Sequence, residues 1–496
     1  MIENKFNLID EKWIPVTDKG KVSLRTIFTD ETITALGGNP VEKIAVFKLL
    51  LAIAQSAYTP ENYTEWKNLG VKGLQEKVLE YLDEHYDCFW LYGEHPFLQM
   101  KEVKQAEKYS FGALQMEIAT GNTSVVTEIQ VEKEIDDSEK AMLVLLLMGF
   151  AFGGKKADNS VVLTSGYTGK TNEKGKPSSA KFGPSLGFSG MLHSFVFTTS
   201  ILNSVYFNIF TQEKISGIKM YPNGIGIAPW ERMPIGEDDD IARSLKTSYL
   251  GRLIPMNRFV LIDDDGIHNT EGITHLGYEN HVVDPSVTVF FNAKPKPKVL
   301  WVDPEKRPWR MLTSMISFWN SSKADGFECF QLKNVLERQE NMTVFSIWSG
   351  GVKVSSNAGE QYLTGTDNFV ESDVMFSQDI IGETFFKYLE DEMQFWEKVA
   401  KILYASIFNY FSELLCDGKS LAAQGTNLYW QLCEGKFQEL IDICSESSPM
   451  EKLFGLRKEI RSYALQIYDE QCPNLTARQL EAWAKNRPAI KIKEDN

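Results

Sequence analysis

The sequence predicts an α+β protein, a large irregular α/β domain over residues 1–370 followed by a four-helix bundle over residues 371–496. Three observations carry this. A chain of 496 residues is too long for a single core. From about Asp373 onward, apolar residues recur at helical spacing with only short interruptions. Before that point, apolar helical stretches alternate with β-rich runs and with glycine- and lysine-rich segments, and no internal repeat organises them.

Leu8–Val16 opens the chain as a strand and turn. Val41–Tyr58, rich in Ala, Leu, Ile and Val, has the length of a buried helix. Tyr63–Tyr86 continues as a helix, weakened in its first half by Gly70 and Gly73. His95–Gln99 reads as turn or extended chain. Ser138–Phe152 is a helix with Asp136, Asp137 and Ser138 as its start signals. Lys155–Gly187 is dense in Gly, Ser, Thr and Lys and reads as long loops, the kind that carry function in compact domains. Helical character returns over Thr198–Phe210, and Val287–Phe291 has strand composition. Pro308–Trp319 opens with a proline suited to a first helical turn. Met342–Ser355 reads as one or two strands around Gly350-Gly351. Phe385–Leu415, Leu421–Cys444, Met450–Tyr468 and Thr476–Lys485 supply the bundle, their short connections implying antiparallel neighbours.

Composition excludes several classes. The net charge of −15 argues against chain-wide affinity for nucleic acid, so any such site is a local basic patch on an acidic body. Six scattered cysteines with no CxxC pair speak against a disulfide framework and a structural zinc site. No basic-then-apolar leader opens the chain. The longest apolar run, about a dozen residues near Ala141–Phe152, falls short of the ~20 that a membrane span needs. A reduced, cytoplasmic setting is expected.

Catalytic signatures fail one by one. Gly169-Lys170-Thr171 resembles the end of a phosphate-binding loop, but position 164 is Thr where the motif needs Gly. The histidines form no HExxH or Cys/His cluster, and His268, His275 and His281 read as surface or loop residues. Asp238–Asp240 and Asp263–Asp265 lack the alternating ligands of a calcium loop and read as solvated turns. No GxSxG elbow is present. The sequence calls for no metal and no cofactor, and a chain that is not an enzyme is expected.

Two basic segments are the positive signal. Lys294-Pro295-Lys296-Pro297-Lys298, followed by Lys306, Arg307 and Arg310, sets six basic residues against Asp303 and Glu305. The prolines would hold it extended, spacing the lysines along a line as a phosphate backbone requires. In Lys155–Gly187, Lys155, Lys156, Lys170, Lys174, Lys176 and Lys181 outnumber Asp158 and Glu173, and glycine and serine would let backbone amides approach a phosphate or groove floor. The residues alone leave a solvated surface loop open for both.

Four motifs, in order, resemble the large-subunit family of the type I-E CRISPR surveillance complex, Cascade. They are the opening Leu8-Ile9-Asp10-Glu11-Lys12-Trp13-Ile14-Pro15-Val16, then His95-Pro96-Phe97-Leu98-Gln99, the Thr198–Ile209 helix, and Pro308-Trp309-Arg310. Length and the C-terminal bundle agree. The resemblance implies a non-enzymatic, DNA-binding protein inside a ribonucleoprotein of antiviral defence. Such a subunit docks the 5′ end of the CRISPR RNA (crRNA) and reads the protospacer-adjacent motif (PAM) of double-stranded target DNA from the minor groove. It then starts strand separation and R-loop formation. Implied partners are the backbone subunits, the small-subunit dimer, the subunit that binds the crRNA 5′ end, and a separate helicase-nuclease that the complex recruits.

By position, the family's crRNA and PAM loop falls at Gly121–Thr127, with Val125, Val126 and Thr127 at its tip where relatives often carry an aromatic. Its glycine-rich PAM loop falls within Ser178–Gly187, giving Lys181, Gly183 and Ser185 as groove contacts. Its wedge hairpin follows the Gly350-Gly351 pair, which permits a sharp reversal, with Ser356, Asn357, Ala358 and Gly359 as the tip. Gly272–His281, where some members carry a PAM-reading lysine, contains none. With Lys294, Lys296, Lys298, Lys306 and Arg307, these are the expected nucleic-acid contacts. A protein–protein scaffold with no nucleic-acid role is the rival reading, and salt-dependent DNA binding separates the two.

Overall fold

The computed structural model describes residues 3–116, 132–150, 158–172, 174–176, 186–187, 190–319, 326–357, 360–363, 368–377 and 382–492. The chain divides into two compact units, Met1–Trp309 with Asp325–Asp373, and Arg310–Ala324 with Val374–Asn496. Mixed helix and strand in the first and helices in the second make this the expected α+β fold.

The first unit is organised around helix α1, Pro40–Ala57, whose sequence is mostly apolar and which is buried over most of its length. Its start is over-determined. Asn39 accepts from the Val41 and Glu42 amides, Glu42 answers at the Asn39 amide, and Pro40 occupies the first turn. Phe47 of α1 meets Phe195 and Phe197 at ring separations of 5.0 and 4.7 Å. Helix α2, Tyr63–Glu84, is bent where Gly70 adopts φ +63°, a conformation open to glycine. Helix α3, Asp137–Gly149, begins with a capping box between Asp136 and Glu139, as its acidic start predicts.

The phenylalanines under α1 belong to strand β1, His193–Phe197. Ser200 then caps helix α4, Ile201–Asn208. Strands β2, Arg258–Asp263, and β3, Gly266–Glu271, form a hairpin whose turn is the acidic Asp264-Asp265. Strands β4, Val289–Phe290, and β5, Lys298–Val299, form a second, shorter one. Helix α5, Phe330–Leu336, packs against α4, with the Gln331 side-chain amide donating to the Asn208 carbonyl at 2.7 Å.

Strand β6, Val344–Val352, is the centre of a three-stranded sheet. It runs antiparallel to β1 with His193 opposite Gly350 and Phe195 opposite Trp348. A hairpin of β7, Ser355–Asn357, and β8, Glu360–Tyr362, follows, and β9, Phe369–Ser377, flanks β6 on its other side.

In the second unit α6, Glu383–Glu413, buries one face carrying Phe385, Leu389, Trp396, Leu403, Ile407 and Tyr410. Helices α7, Lys419–Cys444, α8, Met450–Gln471, and α9, Ala477–Asn486, complete the expected helical region. Inside it the Arg457 guanidinium donates to the buried Glu392 carboxylate at 2.6 Å. Arg310 lies 3.6 Å over the Trp430 ring and pairs with Glu397 at 2.9 Å.

Three expectations need correction. Pro308–Trp319 is not one helix but a 3-10 turn, the four-residue helix Leu312–Met315, and a second 3-10 turn. Thr313, Ser314 and Ser317 are residue types whose hydroxyls compete with helical backbone bonds. Gly350-Gly351 is not a reversal, since both glycines lie inside β6. They are small for packing: a Cβ on Gly350 would sit 2.6 Å from the Trp348 ring, and one on Gly351 2.7 Å from Val302 and 3.0 Å from the Met191 carbonyl.

The third correction concerns histidines. His268 and His275 are buried, not surface residues. The His275 Nε2–H donates to the Pro255 carbonyl at 2.6 Å, and burial, aided by Arg252, pushes its pKa from 6.5 down to about 3. The folded chain therefore refuses a proton that the unfolded chain accepts below pH 6.5. Relative to His275→Gln, the wild type should lose roughly 1.4 kcal/mol of stability per pH unit as pH falls from ~6.5 toward ~4. Urea unfolding of both proteins across that range is the check, and parallel pH profiles would refute it.

Candidate nucleic-acid interface

Gly190 adopts φ +78°, and a Cβ there would lie 3.0 Å from the Val352 carbonyl and 3.2 Å from the Val354 amide. Backbone therefore touches backbone at this point. The Val302 amide donates to the Gly190 carbonyl at 2.7 Å, and the Leu192 amide to the Leu300 carbonyl at 3.0 Å. These bonds gather three segments that lie far apart in sequence. One is the chain leaving the 178–187 segment, the second is residues 300–302 at the end of the basic strip, and the third is Val352–Val354, the root of the β7–β8 hairpin.

In that hairpin Ser355 pairs with Tyr362, Ser356 with Gln361 and Asn357 with Glu360, which leaves two residues between the strands. The Lys353 amide closes its base on the Asn368 carbonyl at 2.8 Å. A hairpin does follow the Gly350-Gly351 pair, but the reversal comes after β6, and Ser356 and Asn357, expected at the tip, are paired strand residues of β7.

The basic strip is bent, not extended. Lys298 pairs with Phe290 and Val299 with Val289, so Lys294 and Lys296 occupy the connection of an antiparallel pair. Strand return overrides the extended preference of the prolines. Lys294, Lys296 and Lys298 are all exposed, and Lys296 pairs with Glu279. Beneath the strip, Val289, Val299, Val287, Val283, Met191 and Tyr278 form one apolar cluster. Lys306 is half-buried in a turn with Asp303, and Arg307 is exposed. Arg310 is committed to Trp430 and Glu397 within the second unit.

Lys170 does not contribute to a basic surface. It is buried with its Nζ 2.7 Å from the buried Glu237 carboxylate, which also accepts from the Leu163 and Thr164 amides. The partial phosphate-loop motif is thus the cation of an internal ion pair. Lys174 and Lys176 are exposed. Lys155, Lys156, Lys181, Gly183, Ser185, Val125, Val126, Thr127 and Ala358 lie outside the described residues, as do the side chains of Ser356 and Asn357. Among the described residues no cluster of three metal-binding side chains occurs, and no helix is long and apolar enough to cross a membrane.

One group was not legible in advance. His193, fully buried, donates from Nε2 to the Leu186 carbonyl at 2.7 Å, and its Nδ1 lies 2.7 Å from the Ser286 hydroxyl. That hydroxyl lies 2.6 Å from Asp284, whose carboxylate receives Lys48 of α1 at 2.7 Å. Burial pushes the His193 imidazole down to about 4. Burial works against the Asp284 carboxylate, but Lys48, His193 and the Ser286 hydroxyl outweigh it and hold Asp284 below its usual range. The four residues are separated by up to 238 positions (48 to 286), so no local pattern announces them.

Comparison with known proteins supplies the remaining findings. A family model described as CRISPR-associated protein Cse1 matches residues 7–467. The CRISPR-associated protein CasA/Cse1 of Thermus thermophilus is 30% identical over 164 residues, which span 30% of this chain and 32% of that protein. That match covers about a third of the relative's length. Crystal structures of Thermus thermophilus CasA and Thermobifida fusca Cse1 superpose with TM-scores of 0.72 and 0.75, at 19% and 16% identity. They cover 97% and 98% of this chain, and 98% of each of those chains. A chain of a CRISPR RNA-guided surveillance complex matches with TM-score 0.68 at 13% identity, covering 98% of this chain and 99% of that one.

Proposed function

The chain belongs to the CRISPR-associated protein Cse1 family, and from that premise we propose that it is the PAM-recognising, DNA-binding large subunit of a crRNA-guided surveillance complex. In this reading it cuts nothing. It meets double-stranded target DNA beside the PAM, starts strand separation and R-loop formation, and licenses recruitment of a separate helicase-nuclease. Its other partners are the crRNA and the remaining subunits of the complex.

The observation that supports this most is the meeting at Gly190 of the glycine-rich segment's end, the basic strip and the hairpin root. Each suits one part of the task. Exposed lysines neutralise phosphates and set register without reading sequence. Small residues and backbone fit a narrow minor groove, whose pattern is degenerate. A hairpin end built of small residues can enter between base pairs at a cost of a few kcal/mol per unstacked step. Base pairing with the guide then supplies sequence specificity.

The test is binding of the assembled complex to duplexes that share a target and differ only in its flank. Flank-dependent affinity is expected. Equal affinity for every flank, with the RNA present, would overturn the reading. Within the same complex, changing Lys294, Lys296 and Lys298 to Ala should weaken binding to all targets alike. It should also flatten the log–log salt dependence by roughly two to three units. Unchanged low-salt binding would reduce the strip to a solvated loop.

A further inference from the structure

Three segments meet at the side chain or backbone of His193. Its Nε2–H holds the Leu186 carbonyl, its Nδ1 meets Ser286, its backbone bridges Val287, and it stands opposite Gly350 in the β1–β6 register. Through Ser286 and Asp284 the chain of contacts ends on Lys48 in the central helix. A carbonyl can only accept, so it is Leu186 that requires the proton on Nε2, while Nδ1 faces a hydroxyl that can donate or accept. Leu186 has one other backbone anchor among the described residues, its amide on the Gly149 carbonyl at 2.7 Å. The imidazole is thus one of two described polar anchors on Leu186, while Gly190 is held separately by the Val302 amide.

We propose that His193 is the positioning residue of the DNA-facing corner, transmitting the rigidity of the buried Lys48–Asp284 pair to Leu186 and Gly190. This rests on the reading that the corner meets the PAM-side duplex. It goes further in assigning recognition geometry to a residue that touches no DNA. Without the imidazole, Leu186 keeps only its bond to Gly149 among the described polar anchors and its backbone samples more poses, so affinity falls where one pose is used.

The experiment compares His193→Phe, His193→Gln and Ser286→Ala in the assembled, RNA-loaded complex on two targets. One is fully paired and carries the preferred flank, and the other is already unpaired beside it. For His193→Phe the expected result is about a tenfold loss on the paired target, with little change on the unpaired one and unchanged RNA content. His193→Gln, which keeps a donor near Leu186, should recover most of the loss. If His193→Phe does not assemble, Ser286→Ala decides the matter with a loss of a few-fold on the paired target alone. Equal loss on both targets, or no loss on the paired one, overturns the proposal. If the wild-type complex ignores the flank, it is the underlying reading that has failed.

Discussion

Replacing Ser356 and Asn357 with Asp should abolish strand opening on fully paired DNA, a loss of at least about a hundredfold, while the complex still assembles with its RNA. The double substitution leaves the β7–β8 backbone pairing available, since the register runs through main-chain bonds. On the proposed function it places two negative charges where strands of phosphates must part. Holding the first opened step already costs a few kcal/mol. Added repulsion of about 3 kcal/mol is enough for a hundredfold change. A target already unpaired beside the PAM needs no such opening and should bind almost as before. Permanganate footprinting of the displaced strand on both targets reads the difference directly. Equal loss on both would make the hairpin a general binding element, and no loss on either would place the wedge elsewhere in the chain.

Lys48→Met should cost about 3–5 kcal/mol of stability at neutral pH, the usual penalty for leaving a buried charge without its partner. Lys48 and Asp284 are 1% and 6% exposed, and both carboxylate oxygens receive the ammonium, at 2.8 and 2.7 Å. In the wild type the Asp284 carboxylate stays charged, held below its usual 3.8. Without Lys48, burial would raise it above that value, so the folded variant would take up a proton that the unfolded chain does not. The deficit should therefore shrink as pH falls from 7 toward 5. A pH-independent deficit, or one under about 1 kcal/mol, would show that the pair is not the core of the network. Adding Asp284→Asn should restore part of the loss, because removing both charges costs less than stranding one.

Much of the fold is legible because its signals are local. The mostly apolar run of α1, the acidic cap of α3 and the helical period of α6 to α8 each dictate structure within a few turns. The small, turn-prone Ser356–Gly359 announces a hairpin, and one spans residues 355–362, but Ser356 and Asn357 belong to its first strand. What misleads is residue chemistry whose meaning is set by distant partners. Gly350-Gly351 has the composition of a reversal, but Trp348, Val302 and Met191 require its smallness inside a strand. Lys170 stands in a basic, glycine-rich loop, but Glu237 draws it inward. The alternating prolines of Lys294–Lys298 promise an extended segment, and pairing with Val289–Phe290 folds it back. His193 has no motif, because its function is defined by Leu186, Ser286, Asp284 and Lys48 together.

The placement of Arg310–Ala324 with the C-terminal helices means that the polypeptide passes between the two units three times, after residues 309, 324 and 373. The helical unit is therefore not a detachable appendage. A single cut at residue 373 would leave Arg310 behind, uncovering the Trp430 face it stacks on and removing the cation from Glu397. Exchange of this unit between relatives, in the laboratory or by recombination, must move two separate stretches of gene at once. A crossover that carries only the C-terminal stretch inherits a bundle missing one of its own pieces.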